Sequence, residues 1–458
     1  MKQSLSVDDL TYARGFVVTK GAPAYVPNGW KSFSFRNWNI NYDDRLEIYF
    51  AGKTDQLTVL LGEAIDSQTG IHGHSLVSIL ANADKPHLEE VLESVTGRHA
   101  LFTFGRVNEV RQDSAGMRSV YFGEGVVASH AKLAALQIGL APSVFTVEYM
   151  KANDLACTPG NYTEFRDVRV LTPNLVLDID SLSVRRIYGG SLTRELKSDE
   201  AASFVIETSK NQLAWLAKKK PIVSLSAGLD SRTTVALLAP LRENLTAFSY
   251  ESGAEKTSSL SSHDVEVAKQ ISEVFNIPFE IINFASEIVS KDVMLVMKNN
   301  HYKAHSRKLA LAYLRRVSGR MNIRSNVYGI GRDTYGKRNI DINDGVGMCR
   351  LANGSKNRDA LAINAFNEFI DYTSFPLKAD VLAKDLFLWE HRIGVWQSAI
   401  YAESDLSHSS HVLINNLHCL KSLLSVSLEK RREGTVQKKI IREVSPELTS
   451  FEVNGSPF

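Results

Sequence analysis

Hydrophobic positions in roughly the first 190 residues come in short runs that turn residues separate, a pattern typical of β-strands. The runs are LEIYF (47–51), LTVLLG (57–62), HALFTF (99–104), SVYFG (119–123), GVVAS (125–129), PNLVLDI (173–179) and VRRIYGG (184–190). Two stretches with helical spacing, HSLVSILAN (74–82) and KPHLEEVLESV (85–95), predict helices between these strands. This half is therefore predicted to be a β-rich α+β domain.

The spacing changes near residue 196. Residues 198–220 open with a serine N-cap and acidic residues and then carry apolar positions at helical spacing. Strands and helices then alternate over 222–225, 232–238, 245–252, 263–275 and 279–284, in the order strand, helix, strand, helix, strand. That alternation predicts a parallel sheet with crossover helices, and the chain after residue 285 reads as mostly helical. We place a boundary near 190–200, which gives domains at 1–195 and 196–458.

Composition narrows the class of protein. A chain of 458 residues with 44% hydrophobic and 23% charged residues suggests a soluble globular protein of two or three domains. A net charge of +2 gives no global attraction to nucleic acid, so no nucleic-acid partner is expected. Three scattered cysteines disfavour a disulfide framework or a structural zinc site. No long apolar run or leader-like start is present, so we expect a cytoplasmic protein with no membrane span.

The stretch PIVSLSAGLDSRTTVALL (221–238) places small and polar residues where a strand turns into a helix. The free N–H groups of a helix N-terminus attract anions, and Gly228 allows close backbone approach. Hydroxyls of Ser224, Ser226 and Ser231 can donate further hydrogen bonds, so the turn is interpreted as a phosphate cradle. It lacks the lysine of a Walker A loop. A carboxylate repels phosphate, so the presence of Asp230 is explained if it holds a Mg²⁺ ion that bridges to the phosphates. The alternative is an ordinary strand-to-helix turn.

SAGLDS resembles the SGGxDS pyrophosphate loop of ATP pyrophosphatases, and nearly the whole chain resembles the asparagine synthetase family. AFSY (247–250) and DVE (264–266) match that family's adenine-side strand and acidic pair, and YGIGRDTYGK (328–337) resembles its GEGADELFGGY. Residues 97–136 resemble its glutaminase-like domain, and VQKKIIREVSPEL (436–448) resembles its closing segment.

The resemblance implies an N-terminal domain of the Ntn-hydrolase type and a C-terminal doubly wound parallel-sheet ATP pyrophosphatase domain with a helical extension. ATP and Mg²⁺ would be the cofactors. The nucleotide-contacting residues implied are Ser224, Ser226, Ala227, Gly228, Leu229, Asp230, Ser231, Ser249, Tyr250, Gly329 and Gly331. Asp230 and Asp333 would hold the metal ion. Lys438 matches the family's late lysine, which would neutralise the departing pyrophosphate, and its neighbour Lys439 is the alternative.

Three departures from the family pattern change the expected chemistry. Glutamine-dependent members carry a cysteine directly after the initiator methionine, whereas Lys2 stands there, so no glutaminase activity is expected. Ile330 occupies the position of an acid and cannot move a proton, and Thr334 loses a second acid. A base must come from elsewhere, and the segment 388–408 offers Glu390, Glu403 and Asp405. The alternative for Glu390 is a structural ion pair with Arg392.

The leading hypothesis is an ATP-dependent amide-forming ligase that adenylates a carboxylate, releases pyrophosphate and passes the acyl group to an amine. The amine would be free ammonia, a second molecule or a group of the same substrate, as in β-lactam synthetases and lasso-peptide cyclases. Two alternatives remain: a nucleotide-binding protein with weakened catalysis, and a nucleoside-modifying ATP pyrophosphatase. A homodimer is left open.

Overall fold

The computed structural model describes residues 7–191, 194–251, 259–301, 306–336, 338–377 and 382–458, with side chains from residue 263 onward in the third range. The strands of its first half are β1 (Phe16–Lys20), β2 (Lys31–Phe35), β3 (Trp38–Tyr42), β4 (Ile48–Lys53), β5 (Gln56–Asp66), β6 (Val95–Phe104), β7 (Glu109–Gln112), β8 (Tyr121–Gly123), β9 (Val126–Ala128), β10 (Arg169–Val170), β11 (Leu175–Asp178) and β12 (Val184–Arg186). Those of the second half are β13 (Pro221–Ser224), β14 (Thr246–Glu251), β15 (Phe279–Asn283), β16 (Met321–Ile323) and β17 (Ser409–His411).

Helices connect and cover these strands. They are α1 (Val7–Leu10), α2 (Gly73–Asn82), α3 (Lys85–Ser94), α4 (Ala131–Ile138), α5 (Val147–Ala152), α6 (Ser198–Lys210), α7 (Leu213–Leu216), α8 (Leu229–Leu237), α9 (Ser259–Val274), α10 (Lys291–Asn300), α11 (Arg307–Arg316), α12 (Gly345–Asn353), α13 (Ala360–Thr373), α14 (Ala383–Phe387), α15 (Ser398–Ser404), α16 (Leu417–Leu424), α17 (Leu428–Glu433) and α18 (Thr435–Val444). A π-helix, Leu388–Gln397, joins α14 to α15, and a 3₁₀ segment, Asn326–Arg332, follows β16.

The first half is built from two antiparallel six-stranded sheets, ordered β10-β8-β9-β1-β3-β2 and β12-β11-β7-β6-β5-β4. Phe16, Trp38, Phe102 and Phe104 lie in the buried cluster that their inner faces share. Helix α4 covers the outer face of the first sheet, and α2 and α3 cover the outer face of the second. The β-rich α+β prediction is therefore confirmed in architecture. Strands β1 to β3, β7 and β10 are additional to the predicted ones.

The second half contains a five-stranded parallel sheet in the order β15-β14-β13-β16-β17. The predicted alternation of strands and crossover helices is confirmed for β13, β14 and β15. The chain after residue 285 is mostly helical, as expected, but it also contains β16 and β17, which were not predicted because strands of three residues are too short to show a periodic pattern. The chain runs outward from β13 to β15 and then returns to β16, on the other side of β13. The switch point between β13 and β16 is where open α/β sheets bind ligands.

The two halves share one continuous core and a buried ionic anchor. Asp405, 2% exposed, accepts hydrogen bonds from Arg98 and from Arg118 (Nη1 to Oδ2, 3.4 Å), both in the first half. Arg14 donates to the backbone carbonyl of the same aspartate. Asn415 adds a bond to the carbonyl of Gly97 (Nδ2 to O, 2.6 Å). The geometry therefore gives Asp405 a structural role between the halves.

Replacing Asp405 with asparagine is expected to lower the free energy of unfolding by about 3–5 kcal/mol, because it leaves two buried guanidinium groups without their carboxylate. Urea unfolding followed by circular dichroism measures the change. Asp180→Asn is the matched control, since its pair with Lys20 is exposed (48% and 39%) and such pairs contribute about 1 kcal/mol or less. Equal losses in the two variants would contradict the anchoring role.

No helix among the described residues is long and apolar enough to cross a membrane.

Candidate active site

A cavity of about 410 Å³, called the edge cavity below, opens at the switch point between β13 and β16. The predicted nucleotide-contacting residues that line it are Ser224, Ser226, Gly228, Leu229, Asp230, Ser231, Ser249 and Tyr250. The other lining residues are Leu225, Asp264, Val265, Ser325, Asn326, Arg332 and Asn454. The structure thus brings together the turn after β13, the end of β14 and the segment after β16 around one space of ligand size.

Internal hydrogen bonds fix the shape of the turn after β13. The hydroxyl of Ser231 accepts the backbone N–H of Ser226 at 3.2 Å, and the two serine hydroxyls lie 3.0 Å apart. The hydroxyl of Ser226 in turn accepts the N–H of Gly228 at 3.2 Å. The fully buried Ala227 gives its N–H to the carboxylate of Asp264 at 3.1 Å and does not line the cavity. The serines therefore shape the turn as well as lining it, and Ala227 serves the turn's geometry.

Helix α8 begins at this turn with Gly228 as its N-cap, in an extended conformation (φ −71°, ψ 153°). The first N–H groups of a helix have no partner within the helix, and they carry the positive end of its dipole. In α8 these groups belong to Leu229, Asp230 and Ser231, all of which line the edge cavity. The turn therefore presents a place for an anion such as a phosphate group.

An ion pair lies at the wall of the edge cavity. The guanidinium of Arg332 is 2.9 Å from a carboxylate oxygen of Asp230, and each side chain is 29% exposed. Burial raises the pKa of Asp230, and the charge and hydrogen bond of Arg332 oppose that shift. Sequence analysis did not find Arg332, which lies where the resembling family has a small residue. Its position gives the cavity a cation that can face phosphate oxygens.

The segment after β16, which includes the YGIGRDTYGK motif (328–337), lines the edge cavity with polar side chains and not with the glycines of the motif. Asn326 and Arg332 line the edge cavity, whereas Gly329 and Gly331 do not. A Cβ at Gly331 would lie 2.8 Å from Cβ of Leu423, so this glycine is needed for packing against α16. Ile330 is fully buried in the core, as suits a residue that takes no part in proton transfer.

Asp333, the second predicted metal ligand, does not line the edge cavity. Its backbone is left-handed (φ 50°), and its carboxylate accepts a hydrogen bond from Nε of Arg432, near the end of α17, at 2.6 Å. Asp333 is 5% exposed and is not among the residues that line the cavity. The structure therefore places the two predicted metal-binding carboxylates in different surroundings, each with its own arginine.

These surroundings fit a Mg²⁺ ion only in part. Among the described residues no group of three or more histidine, cysteine, aspartate or glutamate side chains is arranged to hold a metal. Asp230 fits as one ligand of an ion whose other ligands are water and phosphate oxygens, because Mg²⁺ often binds through one or two carboxylates plus substrate. Asp333 would fit only after its carboxylate leaves Arg432.

The late lysines have different partners. Lys439 pairs with Asp199, and Lys438 lies with its ammonium 5.7 Å from the ring centre of Phe458. Helix α18 starts directly against the turn, since a Cβ at Gly434 would lie 2.4 Å from a side-chain methyl of Leu229. Lys438 is one helical turn beyond that contact. Neither lysine lines the edge cavity, so the choice between Lys438 and Lys439, and the predicted role, stay a prediction.

A second cavity of about 250 Å³, called the adjoining cavity, shares Ser224, Tyr250 and Asn326 with the edge cavity. Glu403, 7% exposed, lines it, as does Arg324. Arg324 donates to the hydroxyl of Ser404 at 2.6 Å. Of the three acids predicted as bases, Glu403 is the one that the structure brings next to the edge cavity.

The other two acids do not line these cavities. Asp405 is the anchor between the halves described above. Glu390 is fully buried and bonded to Arg186 (Nη2 to Oε2, 3.1 Å) and Asn174 (Nδ2 to Oε1, 3.1 Å). Burial raises the pKa of Glu390, and Arg186 opposes the shift. Glu390 is thus in a structural ion pair, but its partner is Arg186 rather than the Arg392 expected from sequence.

Arg232 ties the turn to the last part of the chain. It is fully buried and donates to the backbone carbonyls of Ala227 (3.3 Å), Leu448 (3.3 Å) and Phe451 (2.7 Å), and to that of Glu452. Asn454, which these bonds hold nearby, lines the edge cavity. In the sequence, Arg232 is noticed only as part of RTTVALL, and Asn454 is not noticed at all. Their contacts join positions over 200 residues apart, so the sequence alone does not predict them.

No protein-family model matches the sequence, and a comparison with curated proteins finds no significant relative. Among solved structures, the glutamine-dependent NAD⁺ synthetase from Acinetobacter baumannii in complex with ADP matches over 34% of this chain and 28% of its own, with 16% identity and a TM-score of 0.18. This match thus spans less than a third of that enzyme. NMN synthetase from Francisella tularensis matches over 43% of this chain and 94% of its own, with 14% identity and a TM-score of 0.21. Neither overlap is close enough to bear on function.

Proposed function

We propose that the protein is an ATP-dependent, AMP-forming carbon–nitrogen ligase. It would adenylate a carboxylate with release of pyrophosphate and pass the acyl group to an amine. The observation that carries the proposal is the edge cavity, where a serine-rich turn, a helix N-terminus and the Asp230–Arg332 pair meet at the switch point of a parallel sheet. The motif resemblance supports the same reaction class.

The edge cavity suits ATP in its distribution of side chains. Leu225, Tyr250 and Val265 give one part of its wall an apolar surface on which an adenine ring can lie. Hydroxyls of Ser226 and Ser231, the N-terminus of α8 and the guanidinium of Arg332 offer donors for phosphate oxygens. Asp230 would be a ligand of Mg²⁺, whose charge, when bound, neutralises the pyrophosphate that leaves.

The adjoining cavity suits the two other reactants. Arg324 can hold the substrate carboxylate while one of its oxygens attacks the α-phosphorus, and the phosphorus–oxygen bond to pyrophosphate then breaks. An amine nitrogen next attacks the acyl carbon, and the carbon–oxygen bond to AMP breaks. We assign to Glu403 the removal of the amine proton, since it lies on this cavity.

Exchange of labelled pyrophosphate into ATP tests the first half of the reaction. With a panel of carboxylates, we expect exchange that depends on Mg²⁺ and on one class of acid. The Asp333→Asn variant should lose exchange if Asp333 moves from Arg432 to the metal ion. Full exchange in that variant would remove Asp333 from the machinery and leave Asp230 as its protein ligand. No exchange with any acid would contradict the ligase assignment.

A second candidate function is nucleotide binding with weak or no adenylation. The contact between Asp333 and Arg432 favours it, because it keeps a predicted metal ligand away from the edge cavity. This candidate predicts that ATP raises the melting temperature of the protein while pyrophosphate exchange stays at the level of a boiled control.

We also expect no glutaminase activity. The reason lies at Lys2, where the resembling family has its nucleophilic cysteine; this position lies outside the described residues. Incubation with glutamine and measurement of free glutamate should give the same result as a boiled control. Glutamate release above that control, lost on dialysis against a thiol-blocking reagent, would show that another cysteine supplies the activity.

A further inference from the structure

A third cavity, called the interface cavity, lies between the two halves of the chain and has a volume of about 320 Å³. The first half contributes Lys132, Tyr162 and Glu164, and the second half contributes Arg392 and Trp396. Small apolar side chains, including those of Val395 and Ala399, form much of the remaining wall. The volume is in the range of sites for small molecules.

Arg392 is the first sign of a ligand. Its guanidinium carbon lies 3.5 Å from the ring centre of Trp396, so the planar group is stacked on the indole. Within the described part of the chain, no carboxylate lies within 4 Å of it, whereas the buried Arg98 and Arg431 are each paired with an aspartate. A stacked, partly buried guanidinium beside apolar walls is a binding group for a planar anion.

The backbone around Arg392 is the second sign. Arg392 and Trp396 lie on the π-helix Leu388–Gln397. π-Helical turns are rare and are found frequently at functional sites. Here the wider turn carries both the cation and the aromatic ring onto which it is stacked.

Lys132 adds a second positive charge to the cavity. Its ammonium donates to the side-chain carbonyl of Asn299 at 2.7 Å, and no carboxylate of the described residues lies within 4 Å of it. Burial raises the pKa of Glu164 to about 7, although its backbone hydrogen bond and Lys132 oppose the shift. Burial also lowers the pKa of His301, on the same cavity, to about 4. The described residues of the cavity therefore carry a net positive charge at neutral pH.

We propose that the interface cavity binds an organic carboxylate with an apolar body, and that Arg392 and Lys132 hold its carboxylate group. Trp396, Val395 and Ala399 enclose the apolar body. The site is separate from the ATP site and uses none of the residues assigned to adenylation.

The position of this site also indicates the class of substrate, and this inference rests on the proposed function. Trp396 and Ile400 line both the interface cavity and the adjoining cavity, where Glu403 lies. A molecule held by Arg392 at one end can therefore extend past Trp396 toward the reacting centre. The substrate class that fits is an acid with two carboxylates separated by an apolar chain, of which one is held and the other is activated.

Calorimetric titration without ATP or Mg²⁺ tests the site, with octanoate and suberate as anionic probes and octylamine as the cationic counterpart. We expect both acids to bind and octylamine not to bind. Arg392→Gln and Lys132→Gln should each weaken binding about tenfold or more, because an ionic hydrogen bond is lost. Ala399→Leu should weaken binding by filling the cavity while it leaves both charges in place. Arg106→Gln, at an exposed arginine between β6 and β7, is the control and should bind as the wild type does.

The pH dependence gives a second readout. Among the described residues, the titratable and charged groups on the cavity are Tyr121, Lys132, Cys157, Tyr162, Glu164, His301 and Arg392. Since Glu164 loses its proton near pH 7, its negative charge repels a bound carboxylate above that pH. Octanoate should bind more tightly at pH 6 than at pH 8, and Glu164→Gln should remove most of the difference.

The outcomes of the binding and exchange experiments distinguish a failure of the interface-cavity site from a failure of the ligase proposal. Binding of the acids without pyrophosphate exchange would contradict the ligase and keep the site. Exchange without binding, or binding that Arg392→Gln and Ala399→Leu leave unchanged, would overturn the site and keep the ligase. Circular dichroism of each variant shows whether it is folded, and Lys132→Gln serves if Arg392→Gln is not.

Discussion

Replacing Asp230 with alanine is expected to abolish the Mg²⁺-dependent part of the protection that ATP gives against thermal unfolding. It should also reduce pyrophosphate exchange by about 100- to 10,000-fold, the usual effect of losing several kcal/mol of electrostatic stabilisation in the transition state. The physical reason is that Asp230 lines the edge cavity and lies in the first turn of α8.

The ion pair between Asp230 and Arg332 gives the Asp230→Ala variant a second expected effect. Loss of Asp230 frees the guanidinium 2.9 Å away, so ATP without Mg²⁺ should protect the variant at least as well as it protects the wild type. Arg332→Gln is the matched variant and should weaken protection in both conditions. Unchanged Mg²⁺-dependent protection in Asp230→Ala would remove the aspartate from the metal site.

Replacing Glu403 with glutamine is expected to separate the two halves of the reaction. Exchange of pyrophosphate into ATP should stay near the wild-type rate, because adenylation needs no base at the amine. Amide formation should fall by about 100- to 10,000-fold, the usual contribution of general base catalysis. Rapid-quench measurement of the acyl-adenylate and the amide, with the acid that supports exchange, follows both steps.

Two variants serve as controls for Glu403. Glu390→Gln and Asp405→Asn remove acids from the same stretch of sequence, but the structure places both in ion pairs away from the adjoining cavity. They should lower stability and affect the two steps alike. A selective loss of amide formation in either of them, with none in Glu403→Gln, would transfer the role of base to that residue.

The sequence indicated the turn after β13 because the chemistry there is local. Small residues, hydroxyls and an acid within eight positions, between an apolar run and a helix, are enough to predict an anion site. The parallel arrangement of β13, β14 and β15 also followed from local alternation. Strands β16 and β17 could not be predicted in this way, because a strand of three residues is too short to show a hydrophobic period. Strands β2 and β3 could have been found, since KSFSF and WNINY alternate polar and apolar positions.

The roles of the acids could not be read from sequence, because their partners are distant. Asp405 bonds to Arg98, 307 positions earlier, and Glu390 bonds to Arg186, 204 positions earlier. Glu403 lies between these two acids in the sequence, and it differs from them only in the residues that the fold places around its carboxylate. The same holds for Arg332, whose partner Asp230 is 102 positions away. Burial and charge pairing, which decide these roles, exist only after the two halves have packed.

The π-helix before α15 makes one stretch of the chain unusually sensitive to changes in its length. Hydrogen bonds from i to i+5 use one more residue in each turn than those of an α-helix, so deletion of one residue can be absorbed by a return to α-helical bonding. Such a deletion would rotate the intervening side chains by about 100° while the flanking helices stay in place. In evolutionary terms, related proteins with a one-residue gap between 388 and 397 would keep the fold and lose the stacked pair of Arg392 and Trp396. Gap patterns at this point would then separate lineages by the substrate they accept, even where the residues around ATP are identical.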